Sequence, residues 1–178
     1  MLKFLLIFFL SVFSGGPADL YYSDPKAAGP VLENQYTVWV FLDPECPICQ
    51  SYTRTLRTLH AQYASEEVVF RGIYDSPVIK KREIKRFHQA YDLPFAGEID
   101  HDYALAKRWG ATVTPEVVVT DARGEVLYRG AIDNWYYALG KNRPEPTEHY
   151  LQDALVAIKG RYPILKKQTE AVGCLMNR

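Results

Sequence analysis

The most constraining feature of the sequence is a buried-strand pattern that runs directly into a pair of cysteines. Residues 37–42 (TVWVFL) are apolar or β-branched throughout, which predicts a strand buried on both faces. A short polar turn follows, and the motif C-P-I-C then occupies residues 46–49. From Ile48 to Tyr63, apolar residues recur every three or four positions, as on one face of an amphipathic helix. The sequence therefore predicts a strand, a turn and a helix whose N-terminus carries Cys46.

The position of this motif gives its cysteines a specific chemistry. Unpaired N–H groups and the dipole at a helix N-terminus favour the thiolate of Cys46, while the nearby carboxylates of Asp43 and Glu45 oppose it. Which effect dominates is left open by the sequence. Pro47 suits the first helical turn, where its missing N–H is not needed. Cys49 lies about one turn further along, within reach for a disulfide.

The remaining pattern alternates strands and helices. Two predicted strands, a hairpin turn and amphipathic stretches indicate an α/β protein with a central mixed β-sheet flanked by helices. The predicted elements after the first helix are a strand at 67–74, a helix at 77–91, a short helix at 100–109, a hairpin of strands 116–120 and 125–130, and a helix at 147–159. Residues 131–146 have no regular pattern and are predicted to be irregular.

The N-terminus has the pattern of an export signal. Lys3 precedes an apolar run at residues 4–13, and small residues follow it, so residues 1–14 are predicted to be a signal peptide. The run is shorter than the roughly 20 residues of a membrane-spanning helix. The expected location is periplasmic or otherwise extracytoplasmic, with residues 4–13 as a membrane tether if they are not removed. Residues 15–34 are interpreted as a linker, 35–160 as the folded domain and 161–178 as a C-terminal tail.

Composition excludes several other classes of protein. The 178 residues carry 21 basic and 21 acidic side chains, a net charge of zero, so the basic footprint of a nucleic-acid-binding protein is missing. Three cysteines are too few for a disulfide-rich miniprotein or a four-cysteine zinc site. Covalent haem attachment needs a histidine after the second cysteine, and residue 50 is Gln.

A second motif, G-A-T-V-T-P-E at residues 110–116, completes a resemblance. With the C-P-I-C motif between a strand and a helix, the chain resembles the thioredoxin superfamily, in its exported thiol–disulfide oxidoreductase or redoxin branch, over residues 36–160. The resemblance implies a thioredoxin-like fold without a bound cofactor. It makes Cys46 the exchanging sulfur and Cys49 the resolving one. It also implies a cis bond before Pro115 and places the Thr114 backbone where an incoming peptide pairs as an added strand. The partners implied are protein thiols or disulfides and an upstream redox partner.

The chain departs from the family in one respect. Many thioredoxins carry a buried acid in the strand before the motif, and residues 37–42 contain none. Glu116, next to Pro115, is then a candidate for relaying the proton of the second cysteine, with a solvated strand-end charge as the alternative.

Two other functions are alternatives for a chain with this motif. A thiol peroxidase of the peroxiredoxin type requires Pro and Thr where this chain has Trp39 and Asp43. A copper-binding or copper-delivery module would use the two thiolates and a histidine, but such proteins usually have three residues between the cysteines. The histidines here are scattered, at His60, His88, His101 and His149.

Cys174 leaves the exported chain with an odd number of cysteines. An unpaired cysteine of this kind indicates a free thiol, an intermolecular bridge or a third redox residue. It lies beyond the last predicted helix, and a flexible tail would seldom satisfy the geometry of a disulfide. We therefore expect Cys174 to lie beyond bonding distance of Cys46 and to be dispensable for exchange through the C-P-I-C dithiol.

Overall fold

The computed structural model describes residues 35–75 and 78–176, and its centre is a five-stranded mixed sheet. The strands of this sheet lie in the order β3-β2-β1-β5-β6. β1, β2 and β3 are parallel, and β5 runs antiparallel to both β1 and β6. Their bounds are β1 Tyr36–Phe41, β2 Val68–Tyr74, β3 Ala96–Ile99, β5 Glu116–Thr120 and β6 Val126–Gly130.

Four α-helices and two small two-stranded sheets complete the described part of the chain. One small sheet pairs β4 with β9, and the other pairs β7 with β8. A 3-10 turn at His101–Tyr103 precedes α3. The bounds are α1 Pro47–Tyr63, α2 Lys81–Tyr91, α3 Ala104–Trp109, α4 Tyr150–Gly160, β4 Val113–Thr114, β7 Tyr136–Ala138, β8 Lys141–Asn142 and β9 Cys174–Leu175.

The alternation of side chains along β1 gives the sheet two apolar faces. Val38 and Val40 belong to the larger core, which α1, α2 and α4 cover. On the other face, Phe41 belongs to a smaller cluster with Val118 of β5 and Trp109 of α3. Since both faces of β1 are buried, the continuous apolar run at 37–42 is the pattern that this position requires.

This architecture confirms the thioredoxin-like α/β class, and local details differ from the predictions. The second helix begins at Lys81 rather than at 77, a residue outside the described ones. The segment 131–146 is not wholly irregular, because it contains the short β7–β8 pair. Strands of three and two residues are too short to show the alternation that makes a strand visible in a sequence.

The N-terminal predictions fall on residues that the structure does not describe. The signal peptide at 1–14, its apolar run at 4–13 and the linker at 15–34 all lie outside the described residues. Within 35–75 and 78–176, no helix has both the length and the apolar character needed to cross a membrane.

Candidate active site

The two motif cysteines lie where β1 passes into α1. Cys46 is the N-cap residue of α1, with φ −77° and ψ 115°, and Pro47 is the first helical residue. The Cys46 N–H donates to the Asp43 carbonyl oxygen at 3.1 Å, and the Gln50 N–H donates to the Cys46 carbonyl oxygen at 3.1 Å. Both cysteine side chains are buried. The turn before the helix therefore holds Cys46 at the positive end of the helix dipole.

The loop before β5 contacts both cysteines. The Thr114–Pro115 peptide bond is cis, and the Thr114 carbonyl oxygen lies 3.2 Å from Cys46 Sγ. The Thr114 side chain hydrogen-bonds to Cys49. This proximity follows from strand register, because Phe41 at the end of β1 pairs with Glu116 at the start of β5. The sheet thus brings Thr114 and Pro115 beside a motif nearly 70 residues earlier in the chain.

Cys46 is bonded to a different cysteine from the one expected. Its sulfur forms a disulfide with Cys174, with the two Cα atoms 6.2 Å apart, and Cys49 is a free, buried thiol. The expectation that Cys174 lies beyond bonding distance of Cys46 is therefore wrong. The physical reason is that the C-terminal tail is docked on the domain rather than flexible. In that tail, the Lys167 carbonyl oxygen accepts from the Arg129 N–H of β6 and the Thr169 N–H donates to the Arg129 carbonyl oxygen. Cys174 itself pairs with Thr114 in the β4–β9 sheet.

The Cys49 thiol is strongly held in its protonated form. The pKa of Cys49 is raised to about 12, chiefly because the thiol is buried away from water, and the negative charges of Asp43 and Asp75 contribute to this rise. The Asp43 N–H, which donates to Cys49 Sγ at 3.4 Å, and the Thr114 side chain act in the opposite direction. Because burial is the larger effect, Cys49 is a thiol at neutral pH and a thiolate only rarely.

Asp75 is a site residue that the sequence analysis missed. It directly follows β2, is almost completely buried and acts electrostatically on Cys49. β1 and β2 are parallel, so the residue after β2 lies at the same edge of the sheet as the motif after β1. An acid at the end of the second predicted strand was the signal available, and the effect of its charge is to raise the pKa of Cys49.

Glu116 has contacts that stabilise the Thr114–Pro115 loop. One oxygen of its carboxylate accepts hydrogen bonds from the N–H groups of Thr112 at 2.8 Å and Val113 at 3.4 Å. The other lies 3.9 Å from Arg129 Nε. These contacts tie the carboxylate to the backbone just before Thr114, and its role as a proton relay stays a prediction.

Among the residues that the structure describes, no three His, Cys, Asp or Glu side chains are grouped so that they could hold a metal ion. The sulfur chemistry available here is exchange at Cys46. The Cys46 sulfur is already in a disulfide, and the second motif thiol lies on the next turn of the same helix.

Comparison with known proteins gives one family match and several similar folds. A family model described as a thioredoxin-like domain matches residues 31–136. None of the curated proteins compared matches the sequence. A solved structure of an uncharacterized conserved protein from Geobacillus kaustophilus is 24% identical, with a TM-score of 0.71 over 82% of this chain and 78% of that one. A hypothetical protein from Sinorhizobium meliloti 1021 is 20% identical, with a TM-score of 0.66 over 81% and 80% of the two chains. At these identities the likeness concerns the fold.

Proposed function

Because the chain belongs to the thioredoxin-like family, we propose that it is an exported thiol–disulfide oxidoreductase that exchanges disulfides with protein substrates. The thioredoxin-like domain and the disulfide of Cys46 support an oxidoreductase. The observation that carries the proposal is the placement of Cys46. Its sulfur lies at the N-terminus of α1, against the Thr114 carbonyl, with the Cys49 thiol on the next helical turn. That arrangement provides both an exchanging sulfur and a resolving thiol.

The proposed reaction has two exchange steps. The Cys46 thiolate attacks one sulfur of a partner disulfide, so a mixed disulfide forms and the other partner sulfur leaves as a thiolate that takes up a proton. Cys49, after losing its proton, attacks Cys46 Sγ, and the first partner sulfur leaves in the same way. The partner gains two electrons, the enzyme loses two, and an upstream redox partner restores the enzyme. Run in reverse, the same steps oxidise a partner dithiol.

We expect the double variant Cys49→Ser, Cys174→Ser to accumulate mixed disulfides with substrate. Removing Cys49 removes the resolving thiol, and removing Cys174 prevents the tail from releasing the substrate in its place. The reduced variant is mixed with insulin, and covalent complexes are counted on non-reducing gels before and after addition of dithiothreitol. We expect about one insulin-derived chain per protein molecule, all released by the reductant.

The matched control for this experiment is the triple variant that also carries Cys46→Ser, which should form no complex. If the double variant forms no complex while the parent protein reduces insulin, Cys46 is not the exchanging sulfur and the proposed mechanism is wrong.

Export is the other part of the proposal, and it is supported by the sequence of residues 1–14. When the full chain is expressed in a bacterium with a periplasm, we expect the protein in the extracytoplasmic fraction, with its N-terminus near Gly15. A variant with Leu5→Arg and Phe8→Arg in the apolar run should stay in the cytoplasm, because charges abolish the signal. N-terminal sequencing and cell fractionation measure both outcomes. Recovery in the membrane fraction with Met1 retained would instead indicate a tether through residues 4–13.

A further inference from the structure

The C-terminal tail follows the domain surface back to the active site. After α4, the Arg129 N–H of β6 donates to the Lys167 carbonyl oxygen at 3.0 Å, and the Thr169 N–H donates to the Arg129 carbonyl oxygen at 3.0 Å. The Thr169 hydroxyl accepts a hydrogen bond from the Ala131 N–H at 2.9 Å and lies 2.7 Å from the Tyr128 hydroxyl. These contacts fix the direction of the tail before it reaches Cys46.

The end of the tail is seated as a strand on the loop that precedes Pro115. Cys174 pairs with Thr114 in an antiparallel arrangement, and Leu175 pairs with Val113. The Met176 N–H then donates to the Thr112 carbonyl oxygen at 3.1 Å. Val172 packs against the larger core and Met176 against the smaller one. Main-chain pairing with alternate side chains inserted is how an extended peptide binds to a sheet edge.

We propose that residues 172–176, here called the latch, are an internal substrate that closes the exchange site. The latch occupies the strand position beside Val113 and Thr114, and its Cys174 forms a disulfide with Cys46. Because the strand edge can pair with only one segment and Cys46 can form only one disulfide at a time, the latch and a partner peptide exclude each other. This inference rests on the proposed function, because it assumes that partners react with Cys46 at the same edge.

Closing the latch needs no external oxidant. Starting from a Cys46–Cys49 disulfide, the Cys174 thiol loses its proton and its thiolate attacks Cys46 Sγ. The bond between Cys46 and Cys174 forms, the bond between Cys46 and Cys49 breaks, and Cys49 leaves as a thiolate that takes up a proton. One disulfide and one thiol are present before and after. The burial that holds Cys49 protonated disfavours the reverse attack and so favours the closed form.

The latch also indicates which partner segments fit. A Cβ atom at Gly173 would clash with the Thr114 carbonyl oxygen, and it would lie 2.7 Å from the Thr114 carbonyl carbon and 3.2 Å from the Pro115 nitrogen. These are backbone atoms that cannot rotate away. The residue after the cysteine is not restricted in this way, because Leu175 is 79% exposed. The site therefore accepts an extended segment with glycine immediately before the reacting cysteine.

The first test uses Gly173→Ala, which keeps all three cysteines but cannot seat the latch. The parent and variant proteins are oxidised, free thiols are alkylated, and the disulfides are mapped by mass spectrometry. In the parent we expect the Cys46–Cys174 bond with Cys49 free. In Gly173→Ala we expect the Cys46–Cys49 bond, with Cys174 alkylated. The control Leu165→Ala changes a tail residue that is 97% exposed and should give the parental pattern. A Cys46–Cys174 bond in Gly173→Ala at the parental proportion would overturn the proposal.

The second test measures the preference for glycine directly. The oxidised double variant Gly173→Ala, Cys174→Ser, which can neither seat the latch nor bond it to Cys46, is mixed with the peptide thiols Val-Gly-Cys-Leu-Met or Val-Ala-Cys-Leu-Met, and the reduction of its Cys46–Cys49 bond is followed. We expect the glycine peptide to react about tenfold faster or more, the effect of a methyl group forced into a packed site. Equal rates would overturn the specificity. Failure of both peptides to react, with the closed bond still mapped in the parent, would count against the proposed function and leave the latch supported.

Discussion

We expect Cys46→Ser to reduce the catalysed reduction of insulin to the background rate of the added thiol, a loss of about a thousandfold or more. Cys46 is the cysteine at the N-terminus of α1, and its sulfur contacts the Thr114 carbonyl. A serine hydroxyl fits the same space but cannot form a disulfide. Cys49, the other motif thiol, is fully buried and held protonated, so it cannot replace the lost sulfur as the group that attacks a protein substrate.

The readout is turbidity from insulin precipitation with dithiothreitol as the reductant. Cys174→Ser is the matched control, since it makes the same chemical change at the other end of the disulfide in the structure. We expect this control to retain activity, because it leaves the Cys46 and Cys49 dithiol intact. Insulin reduction by Cys46→Ser at the rate of the control would show that another sulfur performs the exchange.

Local pattern made much of this fold predictable. Three elements follow from residues that are close together in the sequence. They are the apolar run of β1, the periodic apolar face of α1 and the turn of the β5–β6 hairpin. The position of the C-P-I-C motif at a helix N-terminus follows from the same local pattern. The approach of Thr114 to Cys46 does not follow from local pattern, and the resemblance to the thioredoxin superfamily supplied it.

The tail could not be predicted because its contacts are distant along the chain. Cys46 and Cys174 are separated by 128 residues, and no periodicity marks residues 161–178 as docked. The sequence features that indicate a docked tail are weak. Gly173 directly precedes a cysteine, and the apolar residues Val172 and Met176 lie on either side. Asp75 was missed for a related reason, since its effect on Cys49 depends on the parallel pairing of β1 with β2.

The second large effect that we expect is a steep pH dependence of the step performed by Cys49. Only a thiolate attacks a disulfide, and below its pKa the thiolate fraction rises tenfold with each pH unit. Because burial raises the pKa of Cys49 to about 12, the fraction should still be rising throughout the neutral and mildly alkaline range. The rate of resolution should therefore increase about a thousandfold between pH 6 and pH 9, without a plateau. An ordinary exposed thiol would begin to level off near pH 8.5.

The step is measured in Cys174→Ser protein that carries a cysteine peptide as a mixed disulfide on Cys46. Samples are quenched with acid, and the released peptide is quantified by mass spectrometry. The same protein with Cys49→Ser should release no peptide at any pH. Asp75→Asn removes a charge that raises the pKa of Cys49, so it should speed release at a given pH while keeping the slope. A rate that is flat between pH 6 and pH 8 would show that Cys49 is not the resolving thiol or is already ionised.

The release rate is compared only up to pH 9 because the raised pKa of Cys49 also makes the stability of the folded protein depend on pH at higher values. Cys49 binds its proton more tightly in the folded protein, where its pKa is about 12, than at its ordinary value of 9.0. The stabilisation from this difference is fully present below pH 9 and is lost as the pH rises from 9 towards 12. Below pH 9, a change in release rate therefore reports ionisation of Cys49 within the folded site, and the thousandfold increase is expected there.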